Sequence, residues 1–122
     1  METGDNGTYA DLRFSARIQA MTKSELESLL ERAEARDTSA LIDFVDWPEF
    51  LAMIRERSLV PRSVEGFTLD HGRQTWEDDV LLHLSAKKLS SGIDPFEFTA
   101  SYLKTVEMRD RDLKLLIIPV TE

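Results

Sequence analysis

An α+β domain is predicted for this 122-residue chain, on three features of its sequence. Two segments with helix-start signatures, at Thr22 and Asp46, each precede an apolar stripe at helical spacing. The half after Pro61 carries alternating and doubly apolar runs separated by turn residues, as sheet requires. A lone alternating run lies ahead of the first helix. The predicted order is an N-terminal strand, two helices, and a mostly antiparallel four-stranded meander with the helices packed on one sheet face. The length fits one domain, residues 1–122, able to bury roughly two-thirds of its unfolded surface.

Residues 1–8 are polar and read as a disordered terminus. From Tyr9 to Ile18, Leu12, Phe14, Ala16 and Ile18 alternate with Asp11, Arg13, Ser15 and Arg17, a half-buried strand. Thr22-Lys-Ser-Glu25 is a capping box, and Leu26, Leu29, Leu30 and Ala33 form the stripe behind it. Asp46-Trp-Pro-Glu49 opens a second helix with a capping Asp, Pro48 in the first turn and the stripe Phe50, Leu51, Met53 and Ile54. Between them Ala40–Val45 is read as a short helix, and Pro61 as the end of the helical half.

Val64–Leu69 then reads as a strand. Residues 75–89 admit a helix, with Thr75-Trp-Glu-Asp78 as its box. Strand is favoured, because the apolar residues scatter around a helical wheel and alternate along a strand. In that case Asp70-His-Gly-Arg73 is a hairpin turn with Gly72 at positive φ. Counting back from the turn places Phe67 opposite Trp76. It also places Glu65 opposite Asp78, a like-charge pair that requires either a cation or a loosened register. Phe96–Val106 alternates and is assigned as strand, Arg109-Asp-Arg-Asp112 as a charged turn, and Leu113–Val120 as a strand apolar on both faces. Two helices cover only one side of a sheet. Leu116 and Ile118 therefore need either strong curling or a second copy, which makes them the residues of a possible homodimer contact.

The element order resembles that of cystatin-like and cone-shaped folds, without a shared motif. What that likeness implies is a pocket between helices and sheet, and Asp79, His83 and Tyr102 are the polar groups that would line it, in a small enzyme or a ligand-binding protein.

Composition narrows the function classes. Zero cysteines exclude disulfides, thiolate zinc sites and a cysteine nucleophile. The net charge of −8 with scattered basic residues argues against direct nucleic-acid binding. No apolar run reaches the ~20 residues of a membrane span, and the first residues lack the pattern of a secretory signal, so a cytoplasmic protein is expected. Phosphate-loop, nucleophile-elbow and zinc-protease motifs are absent from the sequence. Neither catalytic residues nor a cofactor are assigned. Glu65, Asp78 and Asp79 are the carboxylates nearest to a metal set, but no metal site is assigned to them.

Residues 25–49 hold eight carboxylates against Arg32 and Arg36, a net −6. The leading expectation is therefore a non-enzymatic binding module of the inhibitor, immunity or adaptor type, engaging a basic protein surface. Its contacts would be Glu27, Glu31, Glu34 and Asp37, with Trp47 as an anchor. A self-assembling subunit of a phage or mobile element, driven by the last strand, is a further alternative.

Overall fold

The computed structural model describes residues 21–121; the run Tyr9–Ile18 and residues 1–8 lie outside the described residues. The first helix, α1 (Lys23–Glu34), starts at Thr22 with both bonds of the capping box and buries Leu26, Leu29, Leu30 and Ala33. Beyond its last turn Arg36 takes a left-handed φ of 63°. The Arg36 and Asp37 amides then donate back to Ala33 and Arg32, satisfying the open carbonyls of the helix end.

The segment expected to be helical between Ala40 and Val45 is instead a two-residue strand, β1 (Ile42–Asp43), followed by a 3-10 turn at Phe44–Asp46. Pairing decides this, because Ile42 lies opposite Leu115 of the last strand. The second helix, α2 (Trp47–Glu56), has Pro48 in its first turn and buries Phe50, Leu51, Met53 and Ile54. Asp46 does not cap it. With φ −94° and ψ 4° its backbone is not extended, and its side chain makes no bond to the helix. It accepts instead from the Met21 amide at 3.1 Å, tying the start of α1 to the start of α2. Asp46 is only 4% exposed, and burial is the main reason its carboxyl is pushed up from the usual range, with Asp43, Glu25 and Glu49 adding repulsion.

Pro61 does not end a helix. It lies inside a twelve-residue strand, β2 (Leu59–Asp70), at a bulge where Pro61 pairs with Pro119 and Ser63 with Ile118, leaving Arg62 unpaired. A proline is tolerated there because a bulge removes the demand for its missing N–H. The segment with two readings resolves as a strand, β3 (Arg73–His83), and only its last residues form a helical turn, α3 (Ala86–Leu89), capped by Ser85. The hairpin turn uses positive φ at His71 as well as at Gly72, the combination of a two-residue turn that matches strand twist.

Phe67 pairs with Trp76 as counted from that turn, and beyond it the ladder breaks. Gly66 pairs with Glu77 but Glu65 pairs with Leu81, so Asp78, Asp79 and Val80 bulge out and Glu65 never faces Asp78. The register does loosen where the like charges would have met.

Phe96–Val106 is not a strand. Asp94 accepts from the Phe96 and Glu97 amides and Pro95 follows it, opening α4 (Pro95–Leu103). The last strand, β4 (Leu113–Thr121), is central in a four-stranded antiparallel sheet of order β1-β4-β2-β3, so the expected sequential meander gives way to a strand inserted between two earlier ones. Helix α1 packs against β4, and α2 and α4 pack against β2. Leu113, Leu115 and Ile117 alternate with Leu116 and Ile118, and all five are buried. Leu116 and Ile118 are 3% and 9% exposed within the single chain.

Two packing details are testable by urea denaturation. A Cβ added at Gly66 would lie 2.5 Å from the Val80 Cβ, so Gly66→Ala is expected to cost about 1–3 kcal/mol. The Thr99 hydroxyl is buried without a hydrogen-bond partner, so Thr99→Val should stabilise by about 1 kcal/mol.

Candidate functional site

The three residues expected to line a pocket lie apart, and two of them, Asp79 and Tyr102, hold parts of the fold. Asp79, in the β3 bulge, receives both ends of the Arg111 guanidinium, at 2.8 and 2.9 Å. Arg111 is 12% exposed, and it also binds Glu77 at 2.8 Å and the carbonyls of Met108 and Glu107. Hydrogen bonding from Arg111 is the main reason the Asp79 carboxyl titrates below its usual range, and the same bonds raise the arginine. Tyr102 accepts from the Leu81 amide at 2.7 Å, closing part of the outer edge of β3. His83 is exposed at the far end of β3, opposite Ser63, and shares nothing with Asp79. Among the described residues no group of three or more His, Cys, Asp or Glu could hold a metal ion. Glu65, Asp78 and Asp79 are separated by the bulge and by Arg111. No helix of the described residues is long and apolar enough to cross a membrane.

The carboxylates of residues 25–49 divide into structural and available groups. Asp37 is structural: it accepts from the Ser39 hydroxyl at 2.7 Å, the Ser39 amide at 2.9 Å and Arg32 Nε at 2.9 Å. Those bonds, the Ser39 hydroxyl first, bring its pKa to about 2. Asp43 pairs with Lys114 across β1 and β4, Asp46 is buried, and Glu25 closes the capping box. Glu27, Glu31 and Glu34 are exposed on α1, along the flank of its buried stripe. Arg57 approaches Glu31 at 3.7 Å and Glu34 at 3.6 Å, exposed contacts of little energetic weight. Trp47 is half-buried and packed against the core, so it anchors the fold rather than presenting a free ring.

A groove among the described residues lies elsewhere, lined by residues the sequence does not single out. Its volume is about 860 Å³, and it runs between the end of α2, the start of β2, the α3–α4 connection and the end of β4. Its polar floor includes Arg55 and Arg62. The bulge in β2 frees Arg62 from the ladder, and its Nε is buried with no acceptor, an arrangement that costs about 1–3 kcal/mol when left unpaired. Arg55 stacks on Phe96, 4.1 Å from the ring centre. Among the described residues no carboxylate lies within ion-pair distance of either arginine. Asp94, on the groove wall, is committed to capping α4. The sequence does hold one signal for this geometry, a proline inside an otherwise strand-like run next to Arg62.

Replacing Arg111 tests the structural role of the 77–79 carboxylates. Arg111→Ala is expected to lower stability by about 2 kcal/mol at pH 7, since five hydrogen bonds are lost from a nearly buried guanidinium. An Asp79 held below its ordinary pKa stabilises the fold above that ordinary value, and this contribution is lost as pH falls through the lowered one. Thermal melts between about pH 2 and 7 should therefore show a shallower acid limb in Arg111→Ala than in the wild type. Comparison with protein-family models, with curated proteins and with solved structures finds no match to this chain.

Proposed function

We propose that the chain is a non-enzymatic protein-binding module, of the inhibitor, immunity or adaptor kind, that engages a basic surface through α1. The observation that supports this reading is the solvent-facing row Glu27, Glu31 and Glu34 on a helix held rigid by a complete capping box. Residues at i, i+4 and i+7 share one helix face, so the three carboxylates act together rather than as scattered charge. A net charge of −8 adds a long-range field that draws in a basic partner and orients it. The contact set is narrower than the four acids and one tryptophan expected from sequence. Asp37 is engaged with Arg32 and Ser39, and Trp47 with the core. Arg57, loosely placed between Glu31 and Glu34, is a cation that a partner's lysine or arginine could replace at little cost. A cytoplasmic setting suits this reading, since a fold without cysteine needs no oxidising environment.

The test uses a partner captured from native lysate on the immobilised chain, then purified and followed by stopped-flow association. Combined Glu27→Lys, Glu31→Lys and Glu34→Lys exchange should slow association by about tenfold or more and flatten its dependence on salt. Melting temperature and circular dichroism of the variant should stay close to wild type, because none of the three side chains is buried. An unchanged association rate in the folded variant would overturn the proposal.

A further inference from the structure

The groove between α2, the α3–α4 connection and the end of β4 presents two arginines and, among the described residues, no available carboxylate, on a chain that is otherwise acidic. We propose that this groove seats a ligand with an anionic head group and an apolar body.

The head-group end is set by Arg62 and Arg55. Arg62 is placed by a bulge that removes it from the β2–β4 ladder, and it lines the groove as a part-buried side chain; its Nε is closed off from solvent, so it is the terminal N–H groups of the guanidinium that are left to meet a ligand. A guanidinium is a rigid fork of five donors, so an acceptor seated here would be a planar carboxylate or a phosphate rather than a single hydroxyl. Arg55 is held by its face against Phe96, which leaves the N–H groups of its edge for the same anion. Asp94 does not compete, since its carboxylate accepts from the Phe96 and Glu97 amides.

The remaining wall is apolar: Leu59, Ile93, Phe96 and Val120 line it, with Ile93 37% exposed. A large apolar side chain open to solvent beside a cation describes a site for an amphipathic molecule rather than for a bare inorganic anion. The volume, about 860 Å³, lies within the roughly 300–1,000 Å³ of small-molecule sites. The groove shares no residue with the carboxylate row of α1, so this proposal and the α1 reading stand or fall separately.

Octanoate, octyl phosphate and octanol, titrated into the full chain by calorimetry and amide NMR, test the proposal. Saturable binding of octanoate or octyl phosphate with Kd at or below about 1 mM is expected, with amide shifts concentrated at residues 58–62 and 89–96. The stronger of the two identifies the head group as carboxylate or phosphate. Octanol should bind at least about tenfold more weakly than the better anion, a difference of about 1.4 kcal/mol. Arg62→Gln should weaken the better anion about tenfold or more. Arg55→Gln and Ile93→Ser alter exposed side chains, and each variant, once shown to be folded by circular dichroism, should also weaken it. Lys104→Gln, on an exposed lysine outside the groove, should leave it unchanged. Failure of both anions to saturate by about 10 mM, equal binding of octanol, or undiminished binding in folded Arg55→Gln and Ile93→Ser would each overturn it.

Discussion

The architecture is organised around β4, which is buried on both faces, paired by β2 along one edge and by β1 at Lys114 and Leu115 on the other. Leu113, Leu115, Ile117 and the alternate pair Leu116 and Ile118 are each 9% exposed or less. A strand of this kind is stable only if earlier parts of the chain supply neighbours and covers for it. The two-residue β1 covers one edge, and β2 pairs along the other for nearly the whole length of β4. Three helices then pack on β4 and β2. Most contacts of β4 are with distant parts of the sequence. Its burial therefore depends on the complete fold, and loop-closure entropy is spent before that burial is gained.

The β2–β3 hairpin shows how a sheet absorbs a local conflict. Its turn pins the register from Asp70↔Arg73 to Gly66↔Glu77, and continuing that register would set Glu65 against Asp78. The strand instead extrudes three residues. Val80 turns inward over Gly66, where the absence of a side chain leaves room, and Asp79 turns outward onto Arg111. The bulge thus converts an unfavourable charge pair into one buried methyl contact and one bidentate ion pair. It also makes the 109–112 turn part of the sheet's support, since Arg111 belongs to that turn.

Much of the fold is legible in local chemistry. The capping box at Thr22, both helical stripes, the hairpin turn and the Phe67–Trp76 pair follow from side-chain periodicity and turn geometry alone. The α4 segment is misread because two periods coincide in it. Phe96, Phe98, Ala100 and Tyr102 alternate, yet Phe96, Thr99, Ala100 and Leu103 also form a helical stripe, and the latter set is the one most fully buried. Asp94-Pro95 was the deciding signal, a cap followed by a proline in the first turn, and periodicity obscured it. Asp46 is misread for a different reason. Its cap pattern is sound locally, but a 3-10 turn ahead of α2 removes the extended backbone that capping needs. Ile42 pairs only because β4 is nearby, which no local pattern contains.

The functional surfaces were less legible, because charge in the sequence does not say which charges are already used. Asp79, expected at a pocket, and its neighbour Glu77 both hold Arg111 beside the bulge. Acids clustered at 25–49 look uniform, yet four of them serve caps, turns or buried contacts. What remains after those are removed is the α1 row and Glu49 in the first turn of α2, a division visible only once Arg32, Lys114, Met21 and Thr22 are seen to hold the others. Arg55 and Arg62 are the inverse case. They lie seven residues apart on a helix and a strand, with no motif between them, and both line one groove that the α3–α4 connection and the end of β4 complete. Among the described residues, two arginines of an acidic chain line one groove without an ion-pair partner, and Asp94, an acid on that wall, is spent on capping α4. The resulting positive groove on a negative protein is a charge contrast that composition averages away.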